Sequence, residues 1–365
     1  MKYGICIVIL VLFLFSGICF GQEGKTYTVE VKDGIRLIHN EKPMWGDEQK
    51  IELKLVQVIG ELDEKGKNYQ FYEPRDVLED EERNIYIFDS GNSRVQKFNS
   101  RGEFLLSFGR KGQGPGEFPT YISGDIDDQG NIYVASASGR RIQIFSNEGK
   151  FEEYMSFQRG MTGFRILSDN SFVVWTAAGL KNSTPPLIAI YDFSGKELKT
   201  FGKSDDFGNF SANFDGNRIG ICVSENNEIY ASFMRQNRIE KYTKNGDLIF
   251  RTDRKVNFDV SPKKIGQFEN DEGETVIVAI PPVVSLGIDI DNDNRLWVIT
   301  YKKQKEADME FQDYVYFEIF SEDGYLLQTV AAPQRFDFMR IFKNHMYLID
   351  TRGNMCVYQY KIVEK

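Results

Sequence analysis

DVLEDEERNIYIFDSGNSRVQKFNSRGEFLLSF, residues 76–108, is followed at 125–157 by DIDDQGNIYVASASGRRIQIFSNEGKFEEYMSF, and the two stretches repeat one pattern. Each contains NIY, a polar turn, an apolar run led by arginine, a glycine turn and a last apolar strand. Ile85 and Ile132 are equivalent positions 47 residues apart. This spacing is typical of a four-stranded propeller blade.

Four looser copies follow, in which an apolar run meets an Asp-, Asn- or Gly-rich turn and then a second apolar run. The equivalent positions are Ile85, Ile132, Phe172, Ile229, Leu296 and Met346. Their spacings of 47, 40, 57, 67 and 50 residues predict insertions in blades three to five. The polar stretches 177–186 and 302–313 fit insertions between second and third strands. The fold class predicted is all-β, a propeller of six four-stranded antiparallel blades, with seven blades as the alternative.

The two ends of the chain predict how the ring closes. Blade six lacks a fourth strand, because the chain stops at Lys365 shortly after the third strand. IELKLVQVIG, residues 51–60, precedes the first inner strand and resembles the last strand of blade one. We therefore expect the stretch beginning at Ile51 to complete blade six, which leaves only short outer edges.

Residues 1–21 have the pattern of a targeting segment, with Lys2 before an apolar run that is short for a bilayer span. Small residues, Cys19 and Gly21, precede a cleavage site before Gln22. The prediction is a signal peptide and an exported protein, periplasmic or extracellular, with no membrane insertion after its removal. An uncleaved anchor and lipidation at Cys19 are the alternatives. Residues 22–50 are predicted to form an N-terminal hairpin or strap, with a turn at Asp33-Gly34, and 51–365 the propeller.

Composition narrows the classes of partner. The formal net charge of −9 argues against nucleic acid and anionic membrane surfaces, and like charge favours a monomer. After signal removal only Cys222 and Cys356 remain. The blade pattern places them on the inner strand of blade four and the third strand of blade six, too far apart for a disulfide. We expect two buried free thiols.

Several motifs carry a family resemblance. They are Pro74–Val77 with 84–89, then 92–98, then GQGPGEF at 112–118. With these, residues 51–360 resemble the NHL-repeat family and the TolB-like six-bladed propellers of exported bacterial proteins. The resemblance implies the propeller fold. It implies activity poorly, because the family includes lyases, lactone hydrolases and pure binding scaffolds.

Metal chemistry has little support in the pattern. The chain has two histidines, His39 and His345, too few for a catalytic zinc set or for the usual general base of a nucleophile. The run from Asp289 to Asn294 resembles the start of a calcium loop but lacks Gly at the sixth position and Glu at the twelfth. We interpret it, and the acids Asp125, Asp127 and Asp128, as capping groups of strand-to-strand turns.

The candidate site is the loop-rich face formed where chains enter inner strands and join second strands to third strands. Clustered arginines there suit a carboxylate or an acidic peptide. The candidate ligand-binding residues are Asp89, Arg94, Arg140, Arg141, Arg235, Arg238, Asp350 and Arg352. A structural role is favoured for the aspartates, as turn caps, and Arg94, Arg141 and Arg238 would alternatively bridge neighbouring blades.

The predicted function is a non-catalytic binding or scaffold propeller that recognises a protein, peptide or small ligand on this face. No catalytic residue, metal ligand or cofactor is assigned. The alternative is a metal-dependent hydrolase or lyase of lactonase type, with a divalent cation at the channel mouth.

Overall fold

The structure is a computed structural model that describes residues 25–60, 66–119, 122–136, 140–157, 160–176, 185–269 and 275–365. The predicted targeting segment, 1–21, lies outside these ranges. In the described residues six blades surround a central channel, so the prediction of a six-bladed propeller is confirmed and seven blades are excluded.

The strands follow the chain in blade order. The N-terminal strands and blade one are β1 (Tyr27–Lys32), β2 (Ile35–Asn40), β3 (Ile51–Ile59), β4 (Pro74–Glu79), β5 (Ile85–Asp89), β6 (Arg94–Phe98) and β7 (Phe104–Phe108), with 3-10 turns at Lys67–Tyr69 and Ser90–Asn92. Blades two and three are β8 (Ile122–Ile126), β9 (Ile132–Ser136), β10 (Arg141–Phe145), β11 (Phe151–Ser156), β12 (Gly163–Ile166), β13 (Phe172–Trp175), β14 (Ile188–Tyr191) and β15 (Glu197–Phe201).

The second half of the ring carries the insertions. Blade four follows helix α1 (Phe210–Gly216) and consists of β16 (Ile219–Val223), β17 (Ile229–Phe233), β18 (Ile239–Tyr242) and β19 (Leu248–Arg254). A separate hairpin, β20 (Lys263–Glu269) and β21 (Thr275–Ile280), precedes blade five. Blades five and six are β22 (Ser285–Ile290), β23 (Leu296–Tyr301), helix α2 (Phe311–Tyr314), β24 (Val315–Phe320), β25 (Leu326–Ala331), β26 (Phe338–Phe342), β27 (His345–Asp350) and β28 (Cys356–Glu364).

The ring closes as predicted. β3 pairs antiparallel with β28, with Ile59 opposite Val357 and Ile51 opposite Glu364. The strand order of blade six is therefore β26-β27-β28-β3. The backbone hydrogen-bonding groups at the outer edge of β28 are thus paired with β3, a strand from the N-terminal part of the chain. This pairing closes the ring and leaves no unpaired third strand in blade six.

The core lies between the blades. All six equivalent positions in the second strands, from Ile85 to Met346, are 0 % exposed. Between blades one and two, Phe88 packs in one cluster with Ile132 and Phe145. Each blade is apolar on both faces of its middle strands because it is covered by a neighbour on either side.

The N-terminal hairpin extends blade four. Asp33 and Gly34 both have positive φ, 53° and 80°, as the two-residue turn requires. β2 then pairs in parallel with β19, so the sheet has the order β1-β2-β19-β18-β17-β16. From Asn40 the chain crosses blade five, where Met44 and Trp45 donate their backbone N–H to β25, and it enters blade six as β3.

The spacing between repeats has two origins. The expected insertion at 302–313 does separate the second and third strands of blade five, β23 and β24. The insertion expected at 177–186 falls between β13 and β14 of blade three, and its residues 177–184 lie outside the described ranges. The hairpin β20–β21 and helix α1 were missed, because they lie between blades, where no repeat motif marks them. The two cysteines are free and buried, on β16 and β28, as predicted.

Candidate functional site

A cavity of about 620 Å³ occupies one end of the central channel. It lies where the six inner strands end and turn into the second strands. We call this cavity the funnel. Its charged lining residues are Glu79, Asp80, Glu81, Glu82, Asp125, Asp127, Asp128, Arg165, Glu225, Asp289, Asp291, Arg340 and Lys343. Ten carboxylates against three cationic groups make the funnel strongly acidic.

The floor of the funnel is organised by Arg340 of β26. Its Nη1 donates to Asp76 Oδ1 at 2.9 Å and to the Gly124 carbonyl at 3.2 Å, and its Nη2 donates to Asp125 Oδ1 at 3.3 Å. Its Nε lies 3.6 Å from Asp289 Oδ2. One buried guanidinium thus contacts carboxylates of blades one, two and five from blade six, which joins the ring across its axis.

The same aspartates also link consecutive inner strands. Asp76 accepts a hydrogen bond from Gly124 N at 3.0 Å, Asp125 from Ile166 N at 2.9 Å, and Asp289 from Ile341 N at 2.9 Å. In each pair the carboxylate belongs to one blade and the N–H to the next. These bonds satisfy backbone donors at the edges of the inner strands, which would otherwise face the channel unpaired.

Gly124 permits this arrangement by having no side chain. A Cβ at this position would lie 2.2 Å from Phe88 Cζ in blade one. Any larger residue would push blade two away from Asp76 and break the bond between them.

Charge and burial oppose each other at the floor. Burial lowers the pKa of Arg340, but Asp76, Asp125 and Asp289 outweigh it, so the pKa of this guanidinium is raised. Burial raises the pKa of Asp289, although Arg340 and Arg165 act in the opposite direction. Burial also raises the pKa of the Cys222 thiol beside them, which keeps the thiol neutral and unreactive.

Arg165 of β12 is the floor's other cation. Its Nη1 donates to the Phe164 carbonyl at 2.9 Å, and its guanidinium lies 5.6 Å from the centre of the Trp175 ring. Among the described residues no carboxylate lies within ion-pair distance of it. Arg165 therefore keeps donors that face the funnel without a fixed acceptor.

Three rim carboxylates, Asp80, Asp127 and Asp291, cap their own turns. Asp127 accepts from the backbone and side chain of Asn131 at 2.8 Å each and from Tyr133 OH at 3.1 Å. Asp80 has the same contacts with Asn84 and Tyr86. Burial and then the neighbouring aspartate raise the pKa of each tyrosine, so both hydroxyls stay protonated donors.

Two rim carboxylates are different. Asp128 on blade two and Glu225 on blade four are exposed and line the funnel. Within the described ranges neither accepts a hydrogen bond nor lies in an ion pair. They are the carboxylates with free capacity for a ligand.

The predicted arginine face lies at the other end of the channel. Asp89 is 0 % exposed and accepts from Tyr72 N, Asn92 Nδ2 and Arg94 Nε, at 2.7, 2.8 and 2.7 Å. Asp350 accepts from Gly353 N at 2.7 Å and Asn354 N at 2.8 Å, and also binds Arg335. Both aspartates are thus committed to local turns.

Most of the arginines on that face are also committed. Arg94 donates to the Gln70 carbonyl at 3.1 Å as well as to Asp89, and Arg141 donates to the Gln113 carbonyl at 2.6 Å in the crossover that enters blade two.

The arginines of blade four hold local structure in the same way. Arg235 pairs with Asp215 at 2.6 Å. Arg238 stacks 3.6 Å from the Phe233 ring centre, where burial lowers its pKa.

Arg140 and Arg352 differ from these, because their side chains are exposed. The structure therefore does not gather the eight candidates into one constellation.

The interpretation of three acids needs correction. Asp127 and Asp291 do cap turns, but Asp125 and Asp289 belong to inner strands and bind across blades. Asp128 accepts no hydrogen bond within the described ranges and so caps no turn there. Arg340 was missed entirely. Its signal is an arginine inside the apolar strand FMRIF, where a charge implies a buried partner. The partners lie 51 to 264 residues away in the chain, so local pattern could not supply them.

A metal site finds no support in the residue geometry. In the part of the chain that the structure describes, no three His, Cys, Asp or Glu side chains are grouped so as to hold an ion. His39, on the outer hairpin, binds Asp253 of β19, and His345 lies beside Glu79. Neither histidine lines the funnel.

The fold and this polar channel define a six-bladed propeller with one open, acidic mouth. The family DUF5128, described as a 6-bladed beta-propeller, matches residues 71–276, and the chain belongs to this family. The resemblance noted above is thereby confirmed at the level of a six-bladed propeller, while the narrower NHL or TolB-like assignment stays a prediction. Among curated proteins, none matches the chain significantly.

Solved structures agree with the fold. A protein of Bacteroides fragilis described as exported is 10 % identical, with a TM-score of 0.59 over 90 % of this chain and 99 % of that one. A DUF4221 member from Bacteroides vulgatus is 12 % identical, with a TM-score of 0.62 over 87 % and 99 %. A streptogramin B lyase, 12 % identical over 86 % and 98 %, has a TM-score of 0.49, too low to inform activity. Across the described ranges no helix is long and apolar enough to cross a membrane.

Proposed function

We propose that this protein is an exported, non-catalytic binding propeller and that its ligand site is the funnel. The observation that supports this most is the cavity of about 620 Å³ on the channel axis, which has charged groups from all six blades within reach. Its volume falls within the range of about 300–1,000 Å³ typical of small-ligand sites.

The charge of the funnel indicates a cationic ligand. Eight of the ten lining carboxylates are held in place by hydrogen bonds or ion pairs with other groups of the protein, so they contribute a preorganised negative potential. A concave, acidic surface concentrates cations and repels anions. The free carboxylates Asp128 and Glu225 would then make direct contacts.

A binding role rather than catalysis is supported by what the funnel residues already do. The floor aspartates hold backbone N–H groups and Arg340, so none is poised as a base. The one thiol beside the floor, Cys222, is buried with a raised pKa.

Occlusion of the funnel tests the proposal. Asn292 lines the funnel, is exposed and donates only its backbone N–H to the Lys343 carbonyl. Asn292→Trp should therefore fill the mouth without breaking a side-chain hydrogen bond among the described residues. Arg352→Trp is the matched control, because it adds the same ring to the opposite face. Spermidine, citrate and maltotriose serve as cationic, anionic and neutral probes in thermal-shift and equilibrium-dialysis measurements.

We expect spermidine to stabilise the wild type and the Arg352→Trp variant but not Asn292→Trp. Binding that survives in Asn292→Trp, or that disappears in Arg352→Trp, would place the site outside the funnel. If none of the three probes bound the wild type, a general small-ligand role for the funnel would be rejected.

A further inference from the structure

We infer that the ligand of the funnel is a short basic peptide that enters with its free carboxy-terminus first. This inference rests on the proposed function and adds the chemical class of the ligand. It is carried by a difference between the floor and the rim of the funnel, since the floor offers unused hydrogen-bond donors and the rim offers unused carboxylates.

The floor has two incompletely used guanidinium groups. Arg340 is 6 % exposed, and its Nε has no hydrogen-bond acceptor, because Asp289 Oδ2 stands 3.6 Å away. Within the described residues, Arg165 donates one side-chain hydrogen bond, to the carbonyl of Phe164. The Nε of Arg340 is shielded from solvent, so the floor donors that a ligand in the funnel can reach are those of Arg165.

The two floor cations differ in how far they are compensated. Arg340 is surrounded by Asp76, Asp125 and Asp289, whereas Arg165 has no carboxylate within ion-pair distance among the described residues. A carboxylate of the ligand would therefore meet the less compensated cation at Arg165. Its planar shape suits the fork of N–H groups on a guanidinium.

The carboxylates of the rim favour positively charged groups on the ligand. Asp128 and Glu225 belong to blades two and four, and Arg165 belongs to blade three between them. A ligand whose carboxylate rests on Arg165 would therefore rise between these two acids. Lysine ammonium or arginine guanidinium groups on such a ligand would bind them. A doubly charged anion such as phosphate would meet the same acids and be repelled.

The walls suit a peptide backbone. The exposed side-chain amides Gln129, Asn147 and Asn292 line the funnel. Each amide can both donate and accept, as the alternating N–H and C=O groups of a peptide require. Phe342 is the aromatic residue among the described lining residues, so the funnel lacks the stacked rings that sugar or base recognition uses.

The test compares two forms of one probe. Trilysine with a free carboxy-terminus and trilysine carboxamide differ only at the terminal group, and their binding is measured by isothermal titration calorimetry at low salt. The inference predicts that the free acid binds at least about tenfold more tightly, as a charge-assisted hydrogen bond of about 1.5–3 kcal/mol allows. Simple attraction to an acidic funnel predicts the reverse, because the amide is the more cationic peptide.

Two sets of variants test which funnel residues bind the carboxy-terminus and which bind the basic side chains of the peptide. Arg165→Gln should lower the affinity of the free acid to that of the amide and leave the amide unchanged, while Arg352→Gln, an exposed arginine on the other face, should change neither. Asp128→Asn with Glu225→Gln should weaken both peptides equally. Thermal unfolding of each variant establishes that the ring is intact.

Each of the other outcomes contradicts one part of the proposal. Equal affinity of acid and amide, or no effect of Arg165→Gln, overturns the carboxylate at the floor. If neither peptide binds while spermidine binds in a manner blocked by Asn292→Trp, the peptide class is wrong and the funnel remains a ligand site. If nothing binds, the proposed function fails as well.

Discussion

Arg340 Nη1 lies 2.9 Å from Asp76 Oδ1, which joins the inner strand of blade six to that of blade one. The contact is one of several that Arg340 makes across the channel, and it lies at the closed end of the funnel. The floor is therefore held by ionic contacts rather than by apolar packing. Buried ion pairs are intolerant of losing one member, because the remaining charges are left without compensation.

Arg340→Met should be strongly destabilising. The methionine fills most of the volume but leaves Asp76, Asp125 and Asp289 without their shared cation. We expect the free energy of unfolding to fall by about 3–5 kcal/mol, measured by urea denaturation. Arg340→Lys keeps the charge without the fork of donors and should lose less. A fall below about 1 kcal/mol for Arg340→Met would contradict a structural role for the floor.

Asn40→Ala should loosen the N-terminal strap. Asn40 is 2 % exposed, and its Nδ2 donates to Thr252 Oγ1, the Asp253 carbonyl and the Gly324 carbonyl, at 2.8, 2.9 and 3.1 Å. Its Oδ1 accepts from Leu326 N at 2.9 Å. One side chain thus joins the hairpin to blades four and five.

The loss of these bonds should cost about 2–3 kcal/mol in urea denaturation, because each unsatisfied buried group carries a penalty. Thr28→Ala, an exposed change on the same hairpin, should cost less than about 0.5 kcal/mol. Equal effects of the two variants would show that the strap is not held at Asn40.

The contribution of Asp169 to the stability of the fold should be small and should depend on pH. Burial opposes ionisation, but hydrogen bonds from Lys244 and Ser171 outweigh it and lower the pKa of Asp169 to about 2 from 3.8. A lowered carboxyl pKa stabilises the fold above the unfolded pKa and ceases to do so as pH falls through the folded value.

Asp169→Asn should therefore lower the free energy of unfolding at pH 7 by less than about 1 kcal/mol, because half of the side chain is exposed. The melting temperature should fall slightly as a result. The gap between variant and wild type should begin to shrink below about pH 4. Paired thermal melts from pH 7 to pH 3 measure this. A gap that widened on acidification would have the wrong sign.

Metal removal should leave the protein unchanged. The carboxylates Asp127 and Asp291 are occupied by hydrogen bonds within their turns. We expect thermal unfolding with EDTA, and then with added calcium, magnesium or zinc, to shift by less than about one degree, since a ligand stabilises only the state that it binds. A rise of several degrees with one cation would favour the metal-dependent alternative.

The fold could be predicted from the sequence because its signals are local. The NIY repeat, the Asp33-Gly34 turn and the missing strand after Met355–Tyr360 each lie within a few residues of the feature they predict. Helix α1 and the hairpin β20–β21 left no such signal. They are insertions between repeats, and the short apolar run TVIVAI at 275–280 was not recognised as a strand outside the blades.

The site was less accessible to sequence reasoning. The arginines chosen from the loops, such as Arg94 and Arg238, mostly hold their own loops in place. The charges that define the funnel meet only in the closed ring, where Arg340 faces Asp76 across 264 residues of chain. The strand position of Asp125 and Asp289 was available in principle, since each directly precedes a half-buried isoleucine at the end of an apolar strand.

A crystal structure of the protein with trilysine or spermidine bound tests the proposed site most directly. The account predicts ligand density inside the funnel, between Asp128 and Glu225 and above Arg165. Density instead on the opposite face, beside Arg140 and Arg352, with the funnel left to solvent, would contradict it.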